Sequence, residues 1–241
     1  MNRCDAISDF RDRYYLRLNQ RRFEHLASLG LPLRERSVIE FGAGIGDHTP
    51  YFLDRGCRVK VTDGRDENLA VARSRHPRNE RVSTMLIDVD DPPPADRIGR
   101  HEIAYCFGLL YHVRNPARAI QLLAEVCDSN EGIALLETVV AYGDDDALYD
   151  APSQPTRAWG SLTGSGCLPT RRWIANRLGD HFDFVAMTRR QPCHEEFPVS
   201  WSGETTRRVH GRSIGRAVWV AARRKLDNPG LGAPVEQEQS R

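Results

Sequence analysis

Short apolar runs alternate with longer amphipathic segments over residues 36–140. The apolar runs, which predict β-strands, cover residues 38–41, 57–62, 82–87, 102–107 and 133–140. The segments after the first, second and fourth runs predict helices over 47–55, 66–74 and 115–127. Strands that alternate with helices in this way are typical of a doubly wound α/β fold, in which helices cover both faces of a mostly parallel sheet.

The two ends of the chain have a different pattern. Residues 5–30 place apolar side chains at helical spacing and carry a basic opposite face, formed by Arg11, Arg13, Arg17, Arg21 and Arg22. We expect a solvated helix face here, and a contact surface for an anionic substrate is the alternative. From residue 225 the chain is rich in Pro, Gly, Glu and Gln, which predicts a disordered tail over 225–241 and leaves residues 1–224 as one domain.

Two late segments, 141–169 and 191–215, are too long to be ordinary connections in such a fold. They alternate with a predicted helix over 171–178 and predicted strands over 182–188 and 217–222. Long insertions of this kind are often lids or substrate loops. We therefore expect both on the substrate side, with Trp159, His194 and Trp201 as candidate substrate contacts; loops that are only solvated or pinned by their tryptophans are the alternative.

Composition narrows the possible functions. Hydrophobic residues make up 40% of the 241 positions, and no apolar run approaches the roughly 20 residues that cross a bilayer. Residues 1–15 contain acids where a secretory signal needs an apolar stretch, so we expect a soluble, cytoplasmic protein. A net charge of +1 gives no strong attraction to nucleic acid or to a membrane. The scattered cysteines, and a His194–Glu196 cluster without a second histidine at ligand spacing, predict no metal site.

The first apolar run ends in Gly42, Gly44 and Gly46, which predicts a tight turn at a nucleotide site. A dinucleotide fingerprint that starts at Gly42 needs a further glycine at position 47, where this chain has Asp47. Glu40 lies just before the turn, and an acid there suits a cofactor that carries a positive charge and an amine. A turn without a ligand remains the alternative.

Acidic residues follow the next two strands as well. Asp63 ends the second strand, where a carboxylate can accept hydrogen bonds from both ribose hydroxyls, and Asp88 ends the third, where it can receive an adenine amino group. Ligands of such sheets bind at the carboxyl edge of the strands, so Glu40, Asp63 and Asp88 converge on one crevice. Alternatively, Asp63 caps a helix and Asp88 is a turn residue that competes with its neighbours Asp90 and Asp91.

At these motifs the chain resembles the class I S-adenosylmethionine-dependent methyltransferases, which have a Rossmann-like fold. EFGAGIG is similar to the family's first motif, VTDGRDENLAVAR to its second strand with an acidic end, LIDVDD to its adenine-side turn, and CFGLLYHVRNP to the stretch after its fourth strand. The resemblance covers roughly residues 36–140, and the last two strands fit the family's antiparallel finish, which implies a seven-stranded sheet. Glu102, which opens the fourth strand where many relatives have Asp, is a mild departure.

The resemblance implies S-adenosylmethionine as the cofactor and S-adenosylhomocysteine as its product. By position, it implies that the methionine portion is lined by Glu40, Gly42, Ala43 and Gly44. It assigns the ribose to Asp63 and Gly64 and the adenine to Asp88 and Val89. Phe107 would lie near the sulfonium.

His112, with its neighbour Tyr111, is the candidate catalytic group. It follows the fourth strand close to the expected methyl group and has a suitable ordinary pKa for a general base. A base is needed only when the nucleophile must lose a proton, since positioning supplies much of the catalysis of methyl transfer. The alternative is that Tyr111 and His112 merely begin a packed helix.

Three functions follow from these features. A methyltransferase acting on a small-molecule acceptor, by O-, N- or C-methylation, is favoured because two long insertions beside the strand edge can enclose a compact ligand. A transfer RNA methyltransferase of the wobble-uridine type is the second, because LLYHVRNP is similar to such enzymes and the arginines of the last insertion could contact phosphates: Arg207, Arg208, Arg212 and Arg216. A cofactor-binding regulator without catalysis is the third. The oligomeric state stays open.

Overall fold

A computed structural model describes residues 6–203, 205 and 207–235 of the chain. Its strands are β1 Ser37–Glu40, β2 Arg58–Asp63, β3 Val82–Leu86, β4 Ile103–Phe107, β5 Ile133–Ala141, β6 Leu148–Pro152, β7 Ser165–Pro169, β8 Phe184–Met187, β9 Arg208–Val209 and β10 Arg212–Ala222. Its helices are α1 Ala6–Phe10, α2 Arg13–Ser28, α3 Thr49–Leu53, α4 Asp66–Arg75, α5 Ala95–Ile98, α6 Pro116–Val126 and α7 Arg171–Gly179, with a 3-10 turn at Leu110–His112.

The main sheet has the strand order β3-β2-β1-β4-β5-β10-β8, and the two-residue β9 pairs with β10. The first five strands of this path are parallel, and β10 runs antiparallel to both β5 and β8. This confirms the predicted doubly wound sheet of seven strands with an antiparallel finish. The strand order reverses between β1 and β4, so the crevice for a ligand lies at the carboxyl ends of these two strands.

Alternating side chains of the central strands pack into two hydrophobic cores, one on each face of the sheet. On β4, Ile103, Tyr105 and Phe107 pack into one core, while Ala104 and Cys106 pack into the other. All nine residues of β5 are buried, as expected for a central strand covered on both faces. One of them, Glu137, is charged and fully buried, which a simple apolar strand would not tolerate without partners.

The predicted N-terminal helical segment is two helices. The chain breaks after Phe10, and Asp12 caps α2 by accepting a hydrogen bond from the Tyr15 backbone N–H at 2.6 Å. No helix within the described residues combines the length and the apolar character needed to cross a bilayer.

The late insertions contain more regular structure than their composition indicates. Residues 141–169 include the antiparallel hairpin β6–β7, which carries the loop 153–164 at its tip. In the other insertion, β10 begins at Arg212 and so extends five residues further towards its N-terminal end than the predicted strand over 217–222.

Residues 226–235, which the sequence predicts as disordered, pack back against the sheet. Leu231 is buried and pairs with Thr188, and the indole N–H of Trp219 donates to the Pro234 carbonyl at 3.0 Å. Asn228 donates to the carbonyl of Leu29 at 2.7 Å. A few well-placed apolar and polar contacts therefore outweigh the composition of this stretch, and the prediction of disorder is wrong for it; residues 236–241 lie outside the described part.

Candidate active site

One cavity of about 460 Å³ lies at the carboxyl edge of β1, β2 and β4. Helix α1, the start of α2 and both late insertions complete its walls. The predicted site residues that line it are Gly42, Asp63, Gly64, Asp88, Val89, Phe107, Tyr111, His112 and Trp159. The structure thus brings two of the three strand-end acids, Asp63 and Asp88, into the same space as His112 and Trp159.

Asp63 is held rigidly at the end of β2. Its side chain accepts hydrogen bonds from the backbone N–H groups of Gly44 at 2.8 Å and Arg65 at 2.9 Å, and from the Asn68 amide at 3.0 Å. Burial raises the pKa of Asp63 to about 6, although these donors oppose the shift. Among the described residues, its Oδ2 atom accepts a hydrogen bond only from the Gly44 N–H, so this oxygen keeps acceptor capacity for a ligand hydroxyl.

Protein side chains pack against the glycine turn, in the space that Cβ atoms would otherwise occupy. Gly42 and Gly44 have φ angles of +61° and +56°, a backbone conformation that favours glycine. A Cβ at Gly42 would lie 2.8 Å from Leu109, and one at Gly44 would lie 2.6 Å from the Phe10 ring. Gly42 lines the cavity, whereas Ala43 and Gly44 are not among its lining residues.

Glu40 is likewise not among the residues that line the cavity. Its buried carboxyl accepts a hydrogen bond from the Thr49 hydroxyl at 2.7 Å. Burial raises the pKa of Glu40 to about 8, which the hydrogen bond from Thr49 only partly opposes, so the group is largely protonated at pH 7. The interpretation of Glu40 as a counter-charge for the cofactor does not fit this environment.

The two acids Asp88 and Asp90, which follow β3, differ in their hydrogen bonds to the start of α6. Asp90 accepts hydrogen bonds from the backbone N–H groups of Arg114 and Asn115, at 2.9 and 2.8 Å, and so fixes the start of that helix. Among the described residues, the Asp88 carboxylate accepts the Asp90 N–H, at 2.9 Å. Asp88, the buried Val89 and Asp90 all line the cavity, and the Asp88 carboxylate has fewer partners within the protein than that of Asp90.

His112 is buried in the cavity wall beside the insertion 141–169. Its Nδ1 lies 2.7 Å from the Ser153 hydroxyl, its ring centre is 5.8 Å from that of Trp159, and its buried Nε2 has no hydrogen-bond partner among the described residues. Burial, together with the charges of Arg216 and Arg65, lowers the pKa of His112 to about 3. The imidazole is therefore neutral at physiological pH and is a much weaker base than a free histidine.

The loop 153–164 covers the end of the cavity at which Asp63 lies. The guanidinium of Arg65 donates to the carbonyls of Pro155, Gly160 and Ser161 at 3.0–3.2 Å. Asp9 of α1 holds the same loop from the other side, because it accepts the Ala158 N–H at 3.0 Å. The loop and α1 together cover the edge where Asp63 lies.

Two predicted substrate contacts lie elsewhere. His194 is buried and packs edge-to-face on Tyr14, with ring centres 5.5 Å apart. Trp201 is buried in a core, between Tyr142 and the guanidinium of Arg171. Neither is among the residues that line the cavity, because their loop turns inward to pack on the protein. Within the described part of the chain, no group of three His, Cys, Asp or Glu side chains is arranged to hold a metal ion.

A buried charge cluster was not predicted. It consists of Arg22, Glu137, Glu196, Arg207 and Arg216, and its three arginines line the cavity. The prediction that Arg22 lies on a solvated helix face is wrong, since only 1% of this residue is exposed. The signal was present in the sequence: Leu18, Arg22 and Leu26 are four residues apart and so lie on one buried face of α2.

The sheet order, the acid at the end of β2 and the cavity at the switch point define a Rossmann-like enzyme that binds a nucleoside-containing cofactor. Residues 8–186 match the family model described as a methyltransferase domain. The chain belongs to this family, and its fold is that of the class I S-adenosylmethionine-dependent methyltransferases.

Curated relatives are similar over part of their length. The tRNA U34 carboxymethyltransferase of Vibrio atlanticus is 28% identical over 124 residues, which are 48% of this chain and 36% of that protein. The protein of the same name from Actinobacillus succinogenes is 23% identical over 180 residues, which are 73% of this chain and 50% of that protein. The chain thus spans half or less of the length of these relatives.

Solved structures share the fold. The N-terminal domain of EvdMO1 with S-adenosylhomocysteine bound has a TM-score of 0.63 and 20% identity, over 86% of this chain and 81% of that domain. An S-adenosylmethionine-dependent methyltransferase from Mesorhizobium loti has a TM-score of 0.58 and 16% identity, over 84% of this chain and 98% of that one.

The raised pKa of Glu40 predicts a specific pH dependence of stability. Between about pH 4.5 and pH 8 the folded protein keeps a proton that the unfolded chain releases, so the free energy of unfolding falls as the pH rises through this window. Glu40→Gln keeps an acceptor for Thr49 and removes this titration. Relative to that of the variant, the free energy of unfolding of the wild type should fall by up to about 1.4 kcal/mol per pH unit. Urea unfolding at pH 5 to 8 measures this difference.

Glu67→Gln is the matched control for Glu40→Gln, because Glu67 is exposed on α4. Its pH profile should follow that of the wild type. A Glu40→Gln profile parallel to the wild-type one would contradict a buried, protonated Glu40.

Proposed function

We propose that this methyltransferase transfers a methyl group from S-adenosylmethionine to a small-molecule acceptor. The observation that carries the proposal is that one covered cavity is lined both by Asp63 and Asp88 and by the candidate catalytic residues Tyr111 and His112. Helix α1 and the loop 153–164 cover its nucleoside end, so a compact acceptor fits this space better than an extended polymer.

The lining residues fit S-adenosylmethionine. The buried Asp63 offers acceptor capacity for ribose hydroxyls, Asp88 offers it for the adenine amino group, and Val89 supplies an apolar contact for the base. Phe107 lies at the end of β4, on the side of the cavity away from β3. The cofactor, when bound, supplies a methyl carbon that is activated by its sulfonium.

His112 and Tyr111 are the proposed catalytic residues. Because its pKa is near 3, His112 is neutral and acts best by orienting an acceptor hydroxyl or amine through Nε2, with proton removal as a weaker contribution. The hydroxyl of Tyr111 accepts a hydrogen bond from Arg216 at 3.0 Å, which fixes the ring in the cavity wall. Trp159 completes this wall beside His112.

A second candidate function is modification of transfer RNA, as the names of the curated relatives indicate for those proteins. The observation that favours it is the set of arginines near β9, because Arg208 and Arg212 are exposed and Arg207 is half-buried. The relatives' names specify a carboxymethyl group rather than a methyl group.

Asp63→Asn should weaken the binding of S-adenosylhomocysteine by roughly tenfold to a hundredfold, because the amide replaces a charged acceptor. Isothermal titration calorimetry measures the affinity. The control is Asp66→Asn, since Asp66 is exposed in the first turn of α4. Equal affinities of the wild type and Asp63→Asn would contradict the assignment of Asp63 to the ribose.

Labelled S-adenosylmethionine tests the acceptor class. We expect label transfer to members of a panel of small hydroxy, amino and carboxylic compounds, and none to bulk transfer RNA at low ionic strength, where phosphate contacts are strongest. Transfer to RNA alone would replace the first function by the second. Cofactor binding without transfer to any acceptor would favour a non-catalytic regulator.

With an acceptor in hand, His112→Gln should lower kcat by about a hundredfold, the low end for general base catalysis, and leave the affinity for S-adenosylhomocysteine unchanged. The rate should show no acid limb near pH 6.5, because His112 is already neutral well below that pH. His181→Gln, outside the cavity, is the control. A wild-type kcat in His112→Gln would remove His112 from the catalytic set.

A further inference from the structure

The hydroxyl of Ser153 joins the loop 153–164 to His112. It lies 2.7 Å from the Nδ1 atom of His112 and accepts the backbone N–H of Ser161 at 3.1 Å. The backbone N–H of Ser153 donates to the Gly164 carbonyl at 3.0 Å. One residue at the base of the loop therefore contacts both the far end of the loop and the imidazole.

A count of protons decides the direction of the hydrogen bond between Ser153 and His112. A hydroxyl has one proton to donate, and among the described residues the only acceptor in contact with the Ser153 hydroxyl is Nδ1 of His112. If Nδ1 carried a proton, the hydroxyl would face two donors, and its own proton would have no partner there. The Ser153 O–H therefore donates to Nδ1.

The Nε2 atom of His112 then carries the imidazole proton. Burial and the charges of Arg216 and Arg65 lower the pKa of His112 to about 3, and the neutral ring that results has one N–H group. Nε2 is buried and has no hydrogen-bond partner among the described residues, and His112 lines the cavity. Since an unpaired buried N–H is costly, this atom is placed to donate to a ligand.

A donor at Nε2 restricts what the methyl acceptor can be. His112 can orient an oxygen through this N–H, but it cannot remove a proton there, and its Nδ1 is occupied by Ser153. An alkyl alcohol, which needs a base, is then a poor acceptor, and an amine would lose the lone pair with which it attacks. A phenol, with a pKa of about 10, as for tyrosine, releases its proton to water more readily, and its oxygen keeps a lone pair for the methyl carbon.

The cavity wall around His112 suits an aromatic ring. Trp159 is 37% exposed, and its ring centre lies 5.8 Å from that of His112. Val139, Leu168 and Ile214 form a small hydrophobic cluster that also lines the cavity. A planar apolar body with one polar oxygen fits these surroundings.

We propose that Ser153 is a positioning residue that holds His112 as the Nε2–H tautomer, and that the methyl acceptor is a phenol whose oxygen accepts a hydrogen bond from this N–H. The proposal rests on the proposed function, because it names the class of small molecule that the cavity takes. During the reaction the phenol proton passes to water. A lone pair of the oxyanion forms the new O–C bond, while the C–S bond breaks and leaves its electron pair on sulfur. The products are an aryl methyl ether and S-adenosylhomocysteine.

The first experiment reads the tautomer of His112. Protein labelled with nitrogen-15 in its histidines and saturated with S-adenosylhomocysteine is studied by long-range proton–nitrogen correlation NMR, and His112→Gln assigns the signal. We expect the wild type to show the Nε2–H tautomer alone. Ser153→Ala should lose this single tautomer, whereas Ser153→Thr, which keeps the hydroxyl, should retain it.

The second experiment tests the acceptor class with labelled S-adenosylmethionine. Phenol, 2-naphthol and 4-hydroxyacetophenone are each compared with the matching arylmethanol and arylamine. We expect kcat/KM for at least one phenol to exceed that for its two counterparts by at least about tenfold, because only the phenol supplies an oxyanion without a base.

Ser153→Ala should lower kcat for that phenol by about tenfold, the worth of one well-oriented hydrogen bond, and leave the affinity for S-adenosylhomocysteine unchanged. Ser153→Thr should stay within about twofold of the wild type, since it keeps the hydroxyl. Ser165→Ala is the matched control: Ser165 is exposed, belongs to the same hairpin and is not among the lining residues.

The proposal is overturned if His112 carries its proton on Nδ1 in the wild type, or if Ser153→Ala keeps the wild-type tautomer and kcat. It is also overturned if arylmethanols or arylamines accept the methyl group as fast as phenols, an outcome that leaves the proposed function standing. Absence of transfer to any small molecule would overturn both, so the two failures are distinguishable.

Discussion

The carboxylate of Glu137, held between Arg22 and Arg216, is the interaction on which the arrangement of the site depends. It lies in the middle of a central, fully buried strand, and its two partners come from α2 and from the antiparallel β10. An unpaired carboxylate in this position would be strongly destabilising, so both arginines are needed. These ion pairs fix α2 over the sheet and, through the further pair of Arg216 with Glu196, hold the insertion 191–215 beside the cavity.

At the Asp63 end of the cavity, one carboxylate again orders several elements of the fold. Asp63 closes β2, and its carboxylate orders the glycine turn through Gly44 and the start of α4 through Arg65 and Asn68. The glycines are needed because Phe10 and Leu109 occupy the positions where their Cβ atoms would lie. Recognition of a cofactor at this edge is thus built on contacts that also hold the polypeptide together.

The sheet, its antiparallel finish and the strand-end acids could be predicted because the alternation of strands and helices and the family-like motifs are local patterns. The inward course of the loop with His194 and Trp201, and the return of residues 226–235 to the sheet, depend on contacts distant in the chain. The predicted exposure of Arg22 is wrong because its spacing from Leu18 and Leu26, which places it on the buried face of α2, outweighs the cost of burying its charge. Glu40 ends β1 as predicted, but it is not among the residues that line the cavity, and burial raises its pKa to about 8.

Arg65 has a consequence for the order of events during turnover. It is two residues beyond Asp63, and its side chain holds three carbonyls of the loop that covers the nucleoside end. With the nucleoside placed as proposed, its passage beneath this loop requires the three hydrogen bonds of Arg65 to break. The release of spent cofactor would then be a gated step, and steps of this kind can set the overall rate independently of the chemistry.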